Sequence, residues 1–389
     1  MLHLSEIGIR SFRSLYSAEL SPKPLTLIIG PNGSGKSNLF KGLRFLQVGV
    51  AGDVKEWRSY DAQLDDLLWY GKADDGCRPK TFKLSLRFDD PLGIAEYSTA
   101  FQGNGSIEVA KERVVLQARV GHDHPIRFDR ERDKVTTDVP VPVFVRSPNL
   151  LVLRELGASD LEPVTREIYR HIAGWRFFDI DPRLARESRF IPPEPTEVPP
   201  LEPDASNLSA FLYALHRLRP DDFAAVLDAV RRSIDLPSGL LVEHDADRGG
   251  RQARYRFIET PFGEERPIPP ESMSDGTIRL LAQMALLLAD RSVTLACLEE
   301  PDSGLHPSLM VHLADALRQA ATERQVLVTT HSPELMDCFD LAEEQETLQV
   351  YVAERNQQGQ TRFLPMTAAE FAPWLEKYRL GEAVRRRFV

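Results

Sequence analysis

A glycine-rich octapeptide carries the clearest chemical signal in the sequence. Gly30-Pro31-Asn32-Gly33-Ser34-Gly35-Lys36-Ser37 fits the pattern G-x-x-x-x-G-K-[ST]. Glycines let backbone N–H groups turn inward around a phosphate, and the N-terminus of a following helix adds partial positive charge. In this pattern the lysine, Lys36, reaches the β- and γ-phosphates, and the hydroxyl of Ser37 ligates Mg²⁺. The octapeptide therefore predicts a site for the phosphates of a nucleotide.

Two carboxylates end an apolar segment in the last third of the chain. Leu295-Ala296-Cys297-Leu298 runs directly into Glu299-Glu300-Pro301-Asp302. Because successive side chains of a strand point to opposite faces, adjacent carboxylates can serve different partners. We assign Glu299 to the metal, through water, and Glu300 to polarising an attacking water. The alternative interpretation is a pair of solvated charges at a strand end.

Two shorter motifs are less specific. Ser274-Asp275-Gly276-Thr277 opens an apolar helix, whose N-terminus suits an anion. Thr329-Thr330-His331-Ser332-Pro333 follows a short apolar strand, where His331 can hydrogen-bond a γ-phosphate or orient water. Taken alone, the first motif could equally be an ordinary turn and helix cap, and the histidine of the second could equally have a structural role. Their order relative to the octapeptide and the carboxylates favours the functional interpretation.

Secondary-structure signals flank the octapeptide and continue beyond it. An apolar strand over 25–29 precedes it and a helical pattern over 36–46 follows it, which is half of a βαβ unit. Alternating apolar and polar residues over 82–88 predict a strand with one exposed face. Further strands are predicted over 97–101, 107–120 and 141–145. The pattern is then mainly helical over 150–234, apart from a stiff proline-rich connector over 191–204.

The C-terminal third returns to an α/β pattern. A hairpin over 240–258 is followed by predicted helices after Thr277 and over 309–317, and by strands over 293–298 and 326–329. The α/β segments at the two ends, 1–75 and 262–389, predict one mixed sheet built from both chain ends. A β-rich lobe over 76–149 and a mainly helical insertion over 150–261 are predicted between them.

The composition excludes a disordered or collagen-like chain. The chain has 389 residues and a formal net charge of −10, with 42% hydrophobic residues, which is typical of a globular protein. No apolar run is long enough to span a bilayer and no secretory signal is visible, so we expect a cytoplasmic protein without a membrane partner. Three cysteines without a CxxC pair support neither disulfides nor zinc. His122-Asp123-His124 is interpreted as polar residues of a surface loop rather than a metal site, because no third ligand is nearby.

The motifs, in this order, resemble those of the ABC-type ATPases, and within them the stand-alone SMC/RecF-like group and OLD-type ATPases of the AAA family in bacteria. Phe12-Arg13-Ser14 is similar to a strand ahead of the phosphate loop in that group, and Asp302-Ser303-Gly304-Leu305-His306 is similar to its D-loop. Ser274–Thr277 resembles the signature motif. The resemblance implies a P-loop fold of the ABC-ATPase type, with ATP and Mg²⁺ as cofactors.

The resemblance also assigns roles to individual residues. The implied ATP contacts are Arg13, Gly30, Asn32, Gly33, Ser34, Gly35, Lys36, Ser37 and Asn38. Glu300 and His331 are implied as catalytic, Ser37 and Glu299 as metal ligands, Asp302 as the D-loop residue, and Ser274, Asp275, Gly276 and Thr277 as a signature acting in trans. Two positions depart from the pattern, because Glu299 replaces an Asp and Asp275 replaces a Gly. Gln47, Gln63 and Gln117 are equal candidates for the Q-loop glutamine.

A function follows from the resemblance. One phosphate loop and one signature per chain imply a head-to-tail homodimer that binds two ATP molecules and acts as a clamp or switch. The implied substrate is double-stranded DNA, in repair or phage defence, and three basic clusters could contribute: 127–134, 248–256 and 385–387. The alternatives are an ATPase that gates a separate toxin or nuclease, and a transporter subunit, which has a much shorter interval between the two motifs.

Overall fold

The structure, a computed structural model, divides into two compact units. It describes residues 2–54, 64–73, 76–90, 93–103, 106–118, 126–137, 145–157, 163–192, 194–234, 239–247, 250–260, 263–367 and 379–382. Unit 1 comprises residues 1–175 and 348–366, and unit 2 comprises residues 176–347 and 367–389. None of the helices in the described ranges is long and apolar enough to cross a membrane.

The elements of the described residues follow in chain order. The strands are β1 (His3–Phe12), β2 (Leu15–Leu20), β3 (Leu25–Ile29), β4 (Thr81–Asp90), β5 (Gly93–Gly103), β6 (Ile107–Ala118), β7 (Ile126–Glu131), β8 (Lys134–Thr137), β9 (Trp175–Phe178), β10 (Arg189–Phe190), β11 (Gly239–Asp247), β12 (Gly250–Glu259), β13 (Arg266–Ile268), β14 (Leu295–Glu299), β15 (Gln325–Thr330), β16 (Leu348–Arg355) and β17 (Thr361–Met366). The helices are α1 (Lys36–Ala51), α2 (Leu64–Leu67), α3 (Val152–Gly157), α4 (Pro163–Ala173), α5 (Pro182–Ala185), α6 (Leu208–Leu218), α7 (Pro220–Ser233), α8 (Asp275–Ala289), α9 (Met310–Ala321) and α10 (Pro333–Met336).

Unit 1 contains an antiparallel sheet in the order β2-β1-β4-β5-β6-β7-β8. In β4, Phe82, Leu84, Leu86 and Phe88 are buried and alternate with exposed or half-exposed residues, as the sequence predicted. Phe45 of α1 packs edge-on against Phe82 and Phe101, with ring centroids 5.2 and 4.8 Å apart. This aromatic contact anchors α1, the helix that follows the glycine-rich octapeptide, on the apolar face of the sheet.

The second part of unit 1 consists of strands from both chain ends that pair in a second sheet. β3 pairs in parallel with β16, from Leu25↔Leu348 to Ile29↔Val352. β16 in turn pairs antiparallel with β17, with Arg355 opposite Thr361. The predicted α/β fold with a sheet from both chain ends is therefore confirmed. All five residues of β3 are buried and four of them are apolar, as expected for a strand with both faces covered.

Unit 2 combines a parallel strand pair with a helical cluster. β14 and β15 run in parallel, so that Glu299 lies opposite Thr329 at their carboxyl ends. The apolar helix α8 is buried along most of its length and packs between α7 and α9. Gln283, in the middle of α8, is buried and donates a hydrogen bond of 2.6 Å to the carbonyl of Pro301. This bond pairs the buried amide nitrogen of Gln283 and fixes the turn that follows β14.

Most predicted elements are present, and the differences concern strands that the local pattern did not indicate. The hairpin β11–β12 and the irregular proline-rich connector agree with the prediction for their described residues. The short strands β9 and β10 interrupt the region predicted as helical, and β1, β2, β16 and β17 were not predicted as paired strands. β10 pairs with β12, β1 with β4 and β16 with β3, all distant in the chain, and local patterns do not report such pairing. β2 and β17 then pair with their sequence neighbours β1 and β16. Residues 141–144 of one predicted strand lie outside the described residues.

The two units divide the chain differently from the four segments predicted from sequence. β1 pairs with β4, so the β-rich residues after 76 continue a sheet that begins at His3. Residues 150–175 also belong to unit 1, which ends at Trp175. Strand pairing thus joins the first two predicted segments, because β1 supplies the edge on which β4 forms.

Candidate nucleotide site

Glycine geometry shapes the loop between β3 and α1. Gly30, Gly33 and Gly35 have φ angles of 154°, 79° and 102°, which lie in the region that side chains disfavour. A Cβ on Gly35 would lie 1.9 Å from Oγ1 of Thr361, and one on Gly30 would lie 2.3 Å from the carbonyl oxygen of Ala353. Two of these glycines are therefore required by close packing against β16 and β17 as well as by backbone conformation.

Lys36 folds back over this loop. Its Nζ donates hydrogen bonds to the carbonyls of Gly30 at 2.6 Å and Pro31 at 3.1 Å, and the residue is only 5% exposed. The loop thus holds a buried ammonium group beside its inward-turned backbone. The buried Oγ of Ser34 makes no hydrogen bond with the described residues. A buried cation and an unpaired hydroxyl are polar groups of the kind that phosphate oxygens satisfy.

A hydrogen-bond network that sequence reasoning missed supports the loop from behind. Thr361 Oγ1 donates to the carbonyl of Ser34 at 2.8 Å and lies 2.7 Å from Ser14 Oγ. Asn38 Nδ2 donates to the same Ser14 Oγ at 2.8 Å, and the backbone N–H of Thr361 donates to the carbonyl of Ser14. Asn38, predicted as an ATP contact, therefore has a structural bond. Thr361 lies 327 residues from Ser34, so no local motif could identify it.

Arg13 adjoins this network through its neighbour Ser14. It has a φ of 50°, and its backbone N–H donates to the carbonyl of Leu67 at 2.8 Å. Burial lowers the pKa of Arg13, while the carboxylate of Asp66 opposes this effect. Its buried Nε has no hydrogen-bond partner among the described residues. A strained backbone that places a partly desolvated guanidinium is typical of functional positions.

In unit 2, Glu300 turns out of its strand. β14 ends at Glu299, and Glu300 adopts a left-handed φ of 46° while its N–H donates to the carbonyl of Thr329 at 2.9 Å. Its Oε1 lies 3.3 Å from Nδ1 of His331. The two glutamates were predicted to diverge by strand alternation. Glu300 lies one residue beyond the end of β14 in a left-handed conformation, so alternation along the strand does not determine the direction of its side chain. The turn, rather than the strand, aims this carboxylate at the histidine.

Asp302 lies buried behind this pair. Thr330 Oγ1 donates to Asp302 Oδ1 at 2.6 Å and accepts from the N–H of Ser332 at 2.9 Å. Burial raises the pKa of Asp302, and the hydrogen bond from Thr330 opposes that rise. The predicted D-loop carboxylate is only 6% exposed. Through its hydrogen bond with Thr330 it supports the loop that carries His331.

The signature segment caps α8. Ser274 accepts a hydrogen bond from the N–H of Thr277 at 3.1 Å, and their hydroxyl oxygens are 2.9 Å apart. A Cβ on Gly276 would lie 2.8 Å from the carbonyl oxygen of Gly304. The cap that the sequence suggested is thus present, and the D-loop backbone approaches the signature so closely that only glycine fits. Asp275 is exposed and pairs with Arg186, at 2.7 Å.

The predicted site residues fall into two groups, one in each unit. Unit 1 brings Arg13 and Asn38 to the loop of Gly30, Asn32, Gly33, Ser34, Gly35, Lys36 and Ser37. Unit 2 holds Glu299, Glu300, Asp302, His331 and the signature Ser274–Thr277. Gln47 lies on α1 and Gln117 on β6, whereas Gln63 lies outside the described residues. The roles of all these residues stay predictions.

The donor chemistry fits magnesium better than a transition metal. Ser37 and Glu299 offer oxygen ligands, which Mg²⁺ prefers together with substrate phosphates and water. Within the described residues no three His, Cys, Asp or Glu side chains cluster as a metal site. Cys297 is buried, which raises the pKa of its thiol well above the usual value and makes it an inert core residue. His122-Asp123-His124 lies outside the described residues.

The fold and the glycine loop define a P-loop ATPase of the ABC type. Residues 25–69 and 153–337 match the model of a family described as "AAA domain, putative AbiEii toxin, Type IV TA system". This match covers more than half of the chain, and the chain belongs to that SMC/RecF-like family of P-loop ATPases.

Relatives agree with this assignment. The DNA replication and repair protein RecF of Shewanella baltica is 27% identical over 127 residues, which is 32% of this chain and 32% of that protein. The chromosome partition protein Smc of Methanococcus voltae is 33% identical over 91 residues, 23% of this chain and 7% of that protein. The aligned segment thus spans about a third of the RecF relatives' length.

Solved structures resemble the chain over nearly its whole length. The SMC head domain from Thermotoga maritima superposes with a TM-score of 0.51 and 13% identity, covering 94% of this chain and 99% of that one. An SMC head bound to the C-terminal winged-helix domain of ScpA gives a TM-score of 0.56 and 14% identity, covering 95% and 99%. At such identities the likeness establishes the fold.

Proposed function

We propose that this chain binds and hydrolyses ATP as the switch of a homodimeric clamp. The observation that carries the proposal is the left-handed turn that aims Glu300 at His331, 3.3 Å away. A carboxylate at a strand end can accept a hydrogen bond from water and raise its nucleophilicity, and a neighbouring imidazole can share the proton. The strain at Glu300 supports a functional role, because a glutamate rarely adopts this conformation without reason.

Nucleotide binding falls to the glycine loop. Its backbone amides and the ammonium of Lys36 would hold the β- and γ-phosphates, and Arg13 would add a second cation. Mg²⁺, held by Ser37 and through water by Glu299, would neutralise charge on the phosphates. Glu299 is one methylene longer than the aspartate usual in the wider family, which suits a contact through water.

Dimerisation would complete the site. Each chain has one glycine loop and one signature at the N-terminus of α8, whose partial positive charge favours an anion. ATP would bind to the glycine loop of one copy, and Ser274 and α8 of the other copy would contact its phosphates. Hydrolysis would remove the phosphate that links the two copies. The support is the capped, signature-like opening of α8 and the resemblance to the SMC/RecF-like ATPases.

Double-stranded DNA is the substrate we propose for the clamp. The support comes from the relatives, which are a DNA replication and repair protein and a chromosome partition protein. The basic clusters contribute less than expected from the sequence. Arg254 and Arg256 pair across their hairpin with Asp245 and Glu243, at 2.6 and 3.1 Å. Arg130 is fully buried, and residues 385–387 lie outside the described residues.

A second candidate is an ATPase that gates a separate effector, such as a toxin or a nuclease. The observation that favours it is the family description, which names a toxin of a type IV toxin–antitoxin system. In that case the nucleotide state would control a protein partner in defence against phage, with no direct DNA contact. The relatives and the SMC-like fold favour both candidates over a transporter subunit.

Gel filtration tests the proposed switch, and a turnover assay separates the two candidates. Glu300→Gln protein is run on gel filtration with and without ATP and Mg²⁺, and we expect a monomer to shift to a dimer. Lys36→Ala, in the same background, is the control that should stay monomeric. An unchanged elution of the Glu300→Gln protein would contradict the clamp. Wild-type turnover is then measured with duplex DNA, where stimulation favours a DNA clamp and a flat response favours a protein partner.

A further inference from the structure

The signature segment contains a charge that its proposed role disfavours. Asp275 occupies the first turn of α8 and is exposed, with 69% of its side chain accessible. An acidic residue at a helix N-terminus stabilises the helix itself. A triphosphate approaching the same N-terminus would be repelled by that carboxylate. The segment therefore needs a compensating cation if it is to receive the phosphates of another copy.

Arg186 provides that cation and does more than neutralise. Its Nη2 lies 2.7 Å from Asp275 Oδ1 and donates to the carbonyl of Met273 at 2.9 Å. Its Nε donates to the carbonyl of Pro270 at 3.0 Å, and its Nη1 donates to that of Pro182 at 3.1 Å. Only 15% of this side chain is exposed. One planar guanidinium thus fastens the end of α5 to the turn that leads into α8.

Two other arginines lie near Asp275, but the ion pair with its carboxylate is made by Arg186. Arg183, on α5 and close enough to Asp275 for their charges to interact, is 85% exposed and pairs with Asp181 at 2.8 Å. Arg279, one turn further along α8, lines a cavity of about 280 Å³ together with Asp275 and Arg183. Among the described residues, the ion pair recorded for Asp275 is the one with Arg186.

We propose that Arg186 is a positioning residue for the signature: it fixes the turn before α8 and cancels the charge of Asp275, so that α8 can receive the triphosphate held by a second copy. This inference rests on the proposed function. Its chemical basis is the fork of donors on a guanidinium, which a lysine ammonium cannot reproduce. It also explains how a signature with Asp in place of Gly remains compatible with an anionic ligand.

Variants of Arg186 and Asp275 in the Glu300→Gln background test the inference. We expect Arg186→Met to weaken the ATP-dependent dimer by about tenfold or more, the scale of a lost charged hydrogen bond. ATP affinity of the monomer should change less than about twofold, because the glycine loop lies in the other unit. Arg186→Met combined with Asp275→Asn should recover the part of the dimer affinity that the uncompensated charge of Asp275 removes. Arg186→Lys, which keeps the charge but lacks the fork of donors, should recover a similar part and also stay below the wild type.

Hydrogen exchange of the monomer provides a readout that does not depend on dimerisation. We expect Arg186→Met to speed amide exchange over 270–277 about tenfold or more, while exchange over 30–38 stays unchanged. Amide exchange at the wild-type rate over 270–277 in Arg186→Met would overturn the inference. So would an unchanged dimer affinity when Asp275→Asn is added to Arg186→Met. If the parent protein forms no dimer with ATP, the proposed function fails, and the exchange over 270–277 still decides whether Arg186 positions the segment.

Discussion

The glycine loop of unit 1 and the Glu300–His331 pair of unit 2 are built in opposite ways. The loop is a backbone structure, in which glycines with positive φ angles pack against a neighbouring strand. The pair is a side-chain structure, placed by the carboxyl ends of two parallel strands and one left-handed turn. A site built from the backbone can be recognised in the local sequence, because only glycine fits at its strained positions. A side-chain site depends on geometry that residue types alone do not specify.

The largest expected effect separates the chemistry of the two regions. Glu300→Gln should lower ATP turnover by roughly 10²–10⁴-fold, the range typical of losing a general base, while ATP binding remains. Lys36→Ala should lose turnover because ATP no longer binds. Steady-state kinetics and nucleotide titration measure the two effects. Turnover near the wild-type level in Glu300→Gln would remove the proposed role of the side-chain pair.

A smaller effect, on stability, tests the backbone character of the loop. Gly35→Ala combines an unfavourable φ with a clash against Thr361 Oγ1, and it should lower the free energy of unfolding by roughly 2–5 kcal/mol. Gly33→Ala is the matched control, because its φ is also positive but open space surrounds the added methyl. It should cost about 1–2 kcal/mol. Urea unfolding of both variants makes the comparison, and equal losses would show that packing against Thr361 does not constrain the loop.

The smallest effect tests the network behind the loop. Thr361→Val keeps the shape of the side chain but leaves the carbonyl of Ser34 and the hydroxyl of Ser14 with one partner fewer. We expect a loss of about 1–3 kcal/mol in unfolding free energy and weaker ATP binding. Thr361→Ser retains the hydroxyl and should bind ATP like the wild type. Identical nucleotide affinity in the valine and serine variants would mean that the network is structural only.

The sequence predicted the loop and the fold class because both depend on local signals. The octapeptide and its flanking strand and helix are contiguous, and β3 and α1 begin where the pattern indicates. Thr361 and Arg186 escaped prediction because each acts on residues far away in the chain, through pairing and hydrogen bonds that leave no local motif. Glu300 was identified by type, but its orientation was not, since a left-handed turn at a glutamate contradicts the residue's own preference.

The bond between Thr361 and the loop also sets an order of events during synthesis. Ser34 leaves the ribosome early, yet its partner is made 327 residues later, which at usual elongation rates takes roughly 15–65 seconds. During that interval β3 also lacks β16, its parallel neighbour. A nascent or prematurely terminated chain would carry the phosphate-binding motif without the support that shapes it. The nucleotide site proposed for this loop is therefore expected to form only after the C-terminal part of the chain has been synthesised.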